Sequence, residues 1–332
     1  MRLTVLLGGT SSERNVSLAS GLRMAAALRE AGHVVRLLDP ATGVIDAATE
    51  TVWRERSVGT SPPSPEELAA LKAGDQTPTL PTHPLVKDAE CVVLALHGGQ
   101  GEDGTVQALL DVAGVRYTGS GAMATAIAMD KDMTKRILVH AGVPTAHWRM
   151  TPVEADAAIG YLGLPLIVKP NREGSTVGLT IVKQRDQFEG AVAEAHRFDR
   201  EVMCESFVPG RELTVPVLAG VALPVGEIIP VKEIYDYECK YTPGMAREEF
   251  PADLTAEMTA TVQRYAERAY VALKLRGCAR IDFRLTPEGT LACLEANTLP
   301  GMTALSLVPQ SAAAAGVSFV EFCDRLVRDA VQ

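Results

Sequence analysis

An α/β unit at the N-terminus, followed by an α+β half, is the fold class predicted for this chain of 332 residues. Two observations carry the prediction. The chain opens as strand, Gly-rich turn, helix and strand, a crossover that requires a parallel sheet. From residue 164 onward it changes to strands separated by short turns, which suit antiparallel sheets. Length agrees, since roughly 150 residues per domain gives about two domains.

Residues 3–7, Leu-Thr-Val-Leu-Leu, are the first expected strand. The turn Gly8-Gly9-Thr10-Ser11-Ser12-Glu13-Arg14 leads into a helix over about 16–32, and a second strand covers 33–38. Residues 56–87 are rich in Pro, Ser and Thr and read as loop with one short helix near 65–73. A strand over 90–96 runs into His97-Gly98-Gly99, and a helix spans 104–113. The helix over 130–141 is stopped by Gly142-Val143-Pro144. Strands follow at 164–169, 179–182, 201–207, 212–218 and 223–229, with helices at about 187–197 and 256–275.

Composition excludes several classes. With 47% hydrophobic and 22% charged residues, the chain is not disordered, collagenous or mainly coiled coil. Lys and Arg number 32 against 41 Asp and Glu, so the net charge is −9 and a sequence-independent grip on nucleic acid is not expected. Aromatic residues, at 5%, are too few for stacking platforms. The six cysteines form no C-x-x-C pair, and several lie in apolar runs such as Cys91-Val92-Val93-Leu94. Buried thiols in a reducing cytoplasm are expected. No secretory or membrane segment is expected: the run at 3–7 is short, and 304–320 is broken by Pro309, Gln310 and Gly316. The histidines are scattered without zinc-ligand spacing.

Two motifs carry chemistry most directly. Lys169-Pro170-Asn171-Arg172-Glu173-Gly174-Ser175-Thr176-Val177-Gly178 lies between two strands, so it is a hairpin tip and not a P-loop. Its backbone N–H groups over 174–177 can cradle phosphate, with Lys169 supplying charge. The plainer reading is a flexible hairpin. The second motif pairs Arg280-Ile281-Asp282-Phe283-Arg284 with Leu294-Glu295-Ala296-Asn297. If Glu288-Gly289 are the two loop residues of a hairpin, Asp282 lies opposite Glu295 and Arg280 opposite Asn297, all on one face. Two opposed carboxylates repel unless a cation lies between them. Asp, Glu and Asn oxygens suit Mg²⁺. The alternative is a solvated face neutralised by Arg280 and Arg284.

Four segments are weaker. Asn297-Thr298-Leu299-Pro300-Gly301-Met302-Thr303 offers an unhindered Gly301 N–H, with Ser306 just beyond, or is a plain loop. The first turn, Gly8 to Arg14, lacks the dinucleotide fingerprint but sits at the sheet edge where α/β proteins bind ligands. His97-Gly98-Gly99-Gln100-Gly101-Glu102-Asp103-Gly104 lies at a similar edge, or is a tight turn with Asp103 or Glu102 starting a helix. Without a G-x-S-x-G elbow it is no esterase loop. Tyr235-Asp236-Tyr237-Glu238-Cys239-Lys240-Tyr241 is a candidate lid or a surface loop.

Taken in order, these segments, with Tyr117-Thr118-Gly119-Ser120-Gly121 and Met129-Asp130-Lys131, resemble the D-alanine–D-alanine ligases of the ATP-grasp superfamily over nearly the whole chain. The resemblance implies an ATP-grasp fold with an N-terminal α/β domain at 1–122, a central lobe at 123–208 and a C-terminal lobe at 209–332. It implies ATP-dependent joining of two D-alanines through an acyl phosphate, for peptidoglycan precursors. Asp282, Glu295 and Asn297 would hold Mg²⁺ or Mn²⁺, as two ions. Lys131, Lys169 and Lys240 would contact phosphates, under a loop that includes Glu173, Gly174, Ser175 and Thr176. Glu205, Phe207 and Leu294 would line the adenine pocket and Glu212 hold the ribose. Glu13 would anchor the first D-alanine's ammonium in a network with Ser175 and Tyr241, with His97 on the substrate side. Arg280 and the Gly301 N–H would stabilise the oxyanion, and Ser306 and Leu307 receive the second carboxylate. Tyr241 argues against the D-alanine–D-lactate ligases. Asn171, Leu299 and Leu305 depart from common family residues without removing a metal ligand. A cytoplasmic homodimer is implied.

Overall fold

The structure, a computed structural model, describes residues 1–54, 63–231 and 244–332. Among these, three sheets organise the chain. In the first, β1 (Arg2–Leu6) lies between β2 (Val34–Asp39) and β4 (Cys91–Leu94), all parallel, with β3 (Gly43–Ile45) antiparallel on β2. Both faces are covered, which is why β1 and β4 are almost unbroken apolar runs. Leu3, Val5, Leu37 and Val93 pack under helix Arg14–Glu30, whereas Leu6, Leu38, Val92 and Leu94 pack under helix Thr105–Val112.

The second sheet, in the order β5 (Trp148–Met150), β8 (Val202–Ser206), β6 (Leu166–Pro170), β7 (Thr180–Val182), is antiparallel. Helices Ala155–Leu162 and Phe188–Ala195 cover it. The third sheet runs β12 (Ala246–Glu249), β11 (Gly226–Pro230), β9 (Arg211–Leu218), β13 (Cys278–Leu285), β14 (Leu291–Asn297), with β10 (Val221–Ala222) on β9. It too is antiparallel, and helix Ala256–Ala272 packs against it.

The expected strands and helices are present, with ends displaced by no more than three residues. Helix Arg14–Glu30 begins immediately after Glu13. Several elements go beyond the sequence reading. Helix Ala122–Met129 is almost wholly apolar and small, so no polar stripe marks it. The apolar stretch near 304–320 holds the first helix and the start of the second in a helical pair, Leu307–Ala314 and Phe319–Val331. In the latter, Phe322, Cys323, Leu326 and Val327 enter the core of the first sheet, beside Leu3 and Val5. The chain's end thus packs on its beginning. No helix among the described residues is long and apolar enough to cross a membrane. The described cysteines are buried and unpaired.

One expectation needs correction. The β13–β14 connection is not a two-residue turn at Glu288-Gly289, because Leu285 already pairs Leu291. Near the turn the register therefore runs one residue off. A bulge between Asp282 and Phe283 on the ladder, opposite Leu294, absorbs the difference, and Asp282 still pairs Glu295 and Arg280 still pairs Asn297.

Candidate active site

Two adjoining cavities, spanning about 950 and 1100 Å³ of space that opens in part to solvent, are walled by segments of all three sheets. They share Lys131, Glu173, Gly174, Ser175, Arg280 and Glu295.

The first cavity starts at the C-terminal edge of the parallel sheet. Asp39, at the end of β2, is fully buried and meets Arg14 at 2.5 Å, while also accepting the Gly9 and Ala41 N–H groups. That ion pair fixes the first turn of helix Arg14–Glu30, so Glu13 enters the cavity from a held backbone. Glu13 Oε1 accepts the Ser175 hydroxyl at 2.6 Å. Gly98, at φ +68°, must stay side-chain-free, since a Cβ there comes within 3.0 Å of Glu13 Oε2.

His97 is buried, and both ring nitrogens are engaged. Nδ1 donates to the Leu299 carbonyl at 2.8 Å, and Nε2 meets Ser20 Oγ at 3.1 Å. Ser20 in turn accepts the Met302 N–H, and Arg23 donates to the Met302 and Thr303 carbonyls. The loop that carries Gly301 is therefore held by side chains of the N-terminal unit. Gly301 stands against Ser306, whose Oγ would lie 2.8 Å from an added Cβ. Ser306 is the N-cap residue of helix Leu307–Ala314, yet its hydroxyl engages Thr303, and no side chain caps that helix. Leu307 lines the same cavity.

The second cavity lies between the second and third sheets. Glu205, on β8, is buried between two ammonium groups: Lys169 Nζ at 2.6 Å and Lys135. Burial penalises the Glu205 charge, but Lys169 and then Lys135 outweigh that and hold the carboxyl at about 2. Burial also pulls the Lys135 and Lys131 ammonium groups down from their ordinary value, against the attraction of Glu205 and Glu295 respectively. Lys131 donates to the Glu173 carbonyl at 2.6 Å and stands 3.7 Å from Glu295. Burial pushes the Glu173 carboxyl up. Ser175 and Thr176 adopt φ of +50° and +66°, left-handed positions costly for side-chain-bearing residues. Phe207 lines this cavity, and Glu212 does so while pairing with Arg284 at 3.1 Å.

Leu294 and Glu295 both line it too. Strict alternation would put neighbours on opposite faces. The bulge lets an apolar contact and a carboxylate share one wall. Asp282 accepts the Thr214 hydroxyl at 2.7 Å and a fork of bonds from Arg280 at 2.9–3.2 Å. Arg280 thus neutralises Asp282 here, whereas Arg284 is turned to Glu212. Asn297 Oδ1 accepts the Leu299 N–H. Among the described residues no three His, Cys, Asp or Glu side chains cluster tightly enough to cage a metal alone. Two opposed carboxylates and one amide oxygen fit a hard cation that keeps positions for phosphate oxygens. Lys240 and Tyr241 lie outside the described residues.

Residues 2–120 match the family described as D-ala D-ala ligase N-terminus, and residues 137–328 that described as D-ala D-ala ligase C-terminus. The chain belongs to the D-alanine–D-alanine ligase family. It is 42% identical over 335 residues to the D-alanine–D-alanine ligase of Gluconobacter oxydans, covering 100% of this chain and 99% of that protein. Among solved structures, the Coxiella burnetii D-alanine–D-alanine ligase matches with a TM-score of 0.81 at 27% identity, over 99% of this chain and 93% of that one. The Bacillus anthracis ligase complexed with ATP matches at 0.76 and 30% identity, over 100% and 97%. The ATP-grasp fold of the family is the fold of this chain.

Three site residues of this ligase-family chain escaped the sequence reading. Glu102 had only the role of helix starter; that role falls to Asp103, which accepts the Thr105 N–H. Glu102 instead lines the first cavity, 3.6 Å from His97, with its carboxyl pushed up by burial and by Glu13. Lys135 is wholly buried beside Glu205. Its spacing of four from Lys131 puts both on one helix face, a signal visible in the sequence. Thr214 reaches Asp282 only through the β9–β13 pairing.

Proposed function

We infer that this chain joins two D-alanines into D-alanyl-D-alanine at the expense of ATP, for peptidoglycan precursor synthesis. It is a carbon–nitrogen ligase that forms ADP and phosphate. The observation that carries the reading is the shared wall between the two cavities: Lys131, Ser175, Arg280 and Glu295 face both. A phosphoryl group delivered from the second cavity meets a carboxylate held in the first.

The second cavity suits ATP. Phe207 and Leu294 supply apolar faces for a purine, Glu205 accepts its amino group, and Glu212 accepts from ribose hydroxyls. Lys131 and Lys169, with Lys240, hold phosphates under the loop at Glu173, Gly174, Ser175 and Thr176. Asp282, Glu295 and Asn297 would hold Mg²⁺ or Mn²⁺, as two ions. Bound there, the ions neutralise the charge that develops on phosphate oxygens, which is most of what phosphoryl transfer requires.

In the first cavity, Glu13 anchors the ammonium of the first D-alanine, steadied by Ser175 and Tyr241, with His97 holding the loop beside it. One oxygen of that substrate's carboxylate attacks the γ-phosphorus of ATP, and ADP leaves. The amine of the second D-alanine then adds to the acyl phosphate carbon. Arg280 and the Gly301 N–H stabilise the oxyanion of the tetrahedral adduct, which collapses to the amide as the C–O bond breaks and the amine proton leaves with the departing phosphate. Ser306 and Leu307, at an uncapped helix N-terminus, receive the second carboxylate. Lobes at 1–122, 123–208 and 209–332, a cytoplasmic location and a homodimer complete the reading.

The test is product identity. The chain is supplied with ATP, Mg²⁺ and either D-alanine alone or D-alanine with D-lactate, and phosphate release and product mass are followed. D-alanyl-D-alanine from D-alanine alone is expected; its absence overturns the assignment.

A further inference from the structure

Lys135 is a charged group that the mechanism above does not use. It sits on helix Lys131–His140 with its side chain fully buried. Its ammonium is surrounded by electron-rich partners: the Glu205 carboxylate, the Thr145 hydroxyl at 2.6 Å, the Ala146 carbonyl at 3.2 Å, and the Trp148 ring with its centroid 5.4 Å away. Thr145 in turn donates its hydroxyl to the Cys293 carbonyl at 2.7 Å, so the group is tied into β14. Lys135 does not line the second cavity, but Glu205 and Lys169 do.

The stoichiometry is the informative part. One carboxylate serves two ammonium groups, Lys169 Nζ on Oε2 and Lys135 on Oε1. Lys169 has three N–H donors, but as its ammonium turns toward a phosphate its hold on Glu205 weakens. Removing the only partner of a buried charge is strongly unfavourable. With Lys135 in place, Glu205 stays paired when Lys169 moves, and its Oε2 is released to accept from a purine amino group. We propose that Lys135 is a positioning residue of the nucleotide cavity: by keeping Glu205 paired from behind, it frees Lys169 to exchange that carboxylate for a phosphate. The inference rests on the reading of the second cavity as the ATP site.

Calorimetric titration with ADP and Mg²⁺ tests it without turnover. Wild-type chain that does not bind ADP refutes the ATP-site reading itself. Given wild-type binding, Lys135→Gln, which can still bond Thr145 and Ala146, is expected to raise the ADP Kd by about tenfold or more. Lys135→Arg, which keeps the charge, is expected to stay near wild type. The KM for D-alanine is expected to hold in both, as a merely structural lesion would not spare it. Glu205 itself faces the purine, so Lys135→Gln/Glu205→Gln is compared with Glu205→Gln: with no carboxylate to hold Lys169 back, adding Lys135→Gln is expected to change the Kd little. That double variant leaves no uncompensated carboxylate, so the comparison decides the matter if Lys135→Gln alone fails to fold. An unchanged Kd in folded Lys135→Gln overturns the proposal. So does a double variant that binds ADP about tenfold more weakly than Glu205→Gln alone.

Discussion

Ser175 donates its hydroxyl to Glu13 at 2.6 Å, joining residues 162 apart in sequence. One stands in the hairpin tip of the second sheet and the other at the start of the first long helix. A hydrogen bond to an ionised group contributes about 1.5–3 kcal/mol. Ser175→Ala removes it without touching the core. The expected outcome is a rise of roughly tenfold or more in the KM for D-alanine, with little change in thermal stability. Steady-state kinetics at saturating ATP read it, and an unaltered KM would show that Glu13 needs no support from the hairpin.

Glu295 sits opposite Asp282 and 3.7 Å from Lys131. Glu295→Gln keeps the shape and removes the charge. Turnover is expected to fall by at least ~100-fold, with a higher Mg²⁺ concentration needed for half-activation. Phosphate release across a Mg²⁺ titration checks this; normal turnover with normal Mg²⁺ demand would sink the metal assignment.

Gly301 is constrained by packing, because an added Cβ would stand 2.8 Å from Ser306 Oγ. Gly301→Ala must displace Ser306 or the loop held by Arg23 and His97. We expect a large loss of kcat, with a smaller fall in the unfolding midpoint than a large-to-small change in the core would give. Parallel kinetics and thermal melts decide it. An active Gly301→Ala enzyme would argue that the Gly301 N–H is not a donor to the oxyanion.

Acid stability follows from Glu205. Its carboxyl is held at about 2, below the ordinary 4.5, so its stabilising contribution is complete above 4.5 and is lost as pH falls toward about 2. The slope arises because the unfolded chain takes up this proton first. Unfolding midpoints measured through that window should fall more steeply for wild type than for Glu205→Gln. Parallel curves would mean that Glu205 is not the group held down by its two lysines.

Much of the fold was legible because burial patterns are local. The strand–helix–strand order at the start signalled a parallel sheet, and short turns signalled the antiparallel half. Ser318, three residues before Glu321 and ahead of an apolar stripe, was a legible helix start that the broken hydropathy of 304–320 obscured; its hydroxyl does accept the Glu321 N–H. Helix Ala122–Met129 was not legible, since an all-apolar helix has no polar face to set its period.

The sequence by itself determined the chemistry available: a Gly-containing hairpin tip with a lysine at its base, two carboxylates at pairing distance, a glycine after the strand that carries Glu295 and Asn297, and their order along the chain. Residue type and spacing suffice for that, because they set which charges share a strand face. Tertiary structure alone decided which groups meet. The bulge opposite Leu294 rescued a register that the turn would have shifted, and put Leu294 and Glu295 on one wall. Packing of separate units brought Ser175 to Glu13 and His97 to the Gly301 loop, and buried Lys135 behind Glu205. Those contacts depend on how whole sheets dock, and docking is fixed by summed apolar burial over many residues, which no local spacing records.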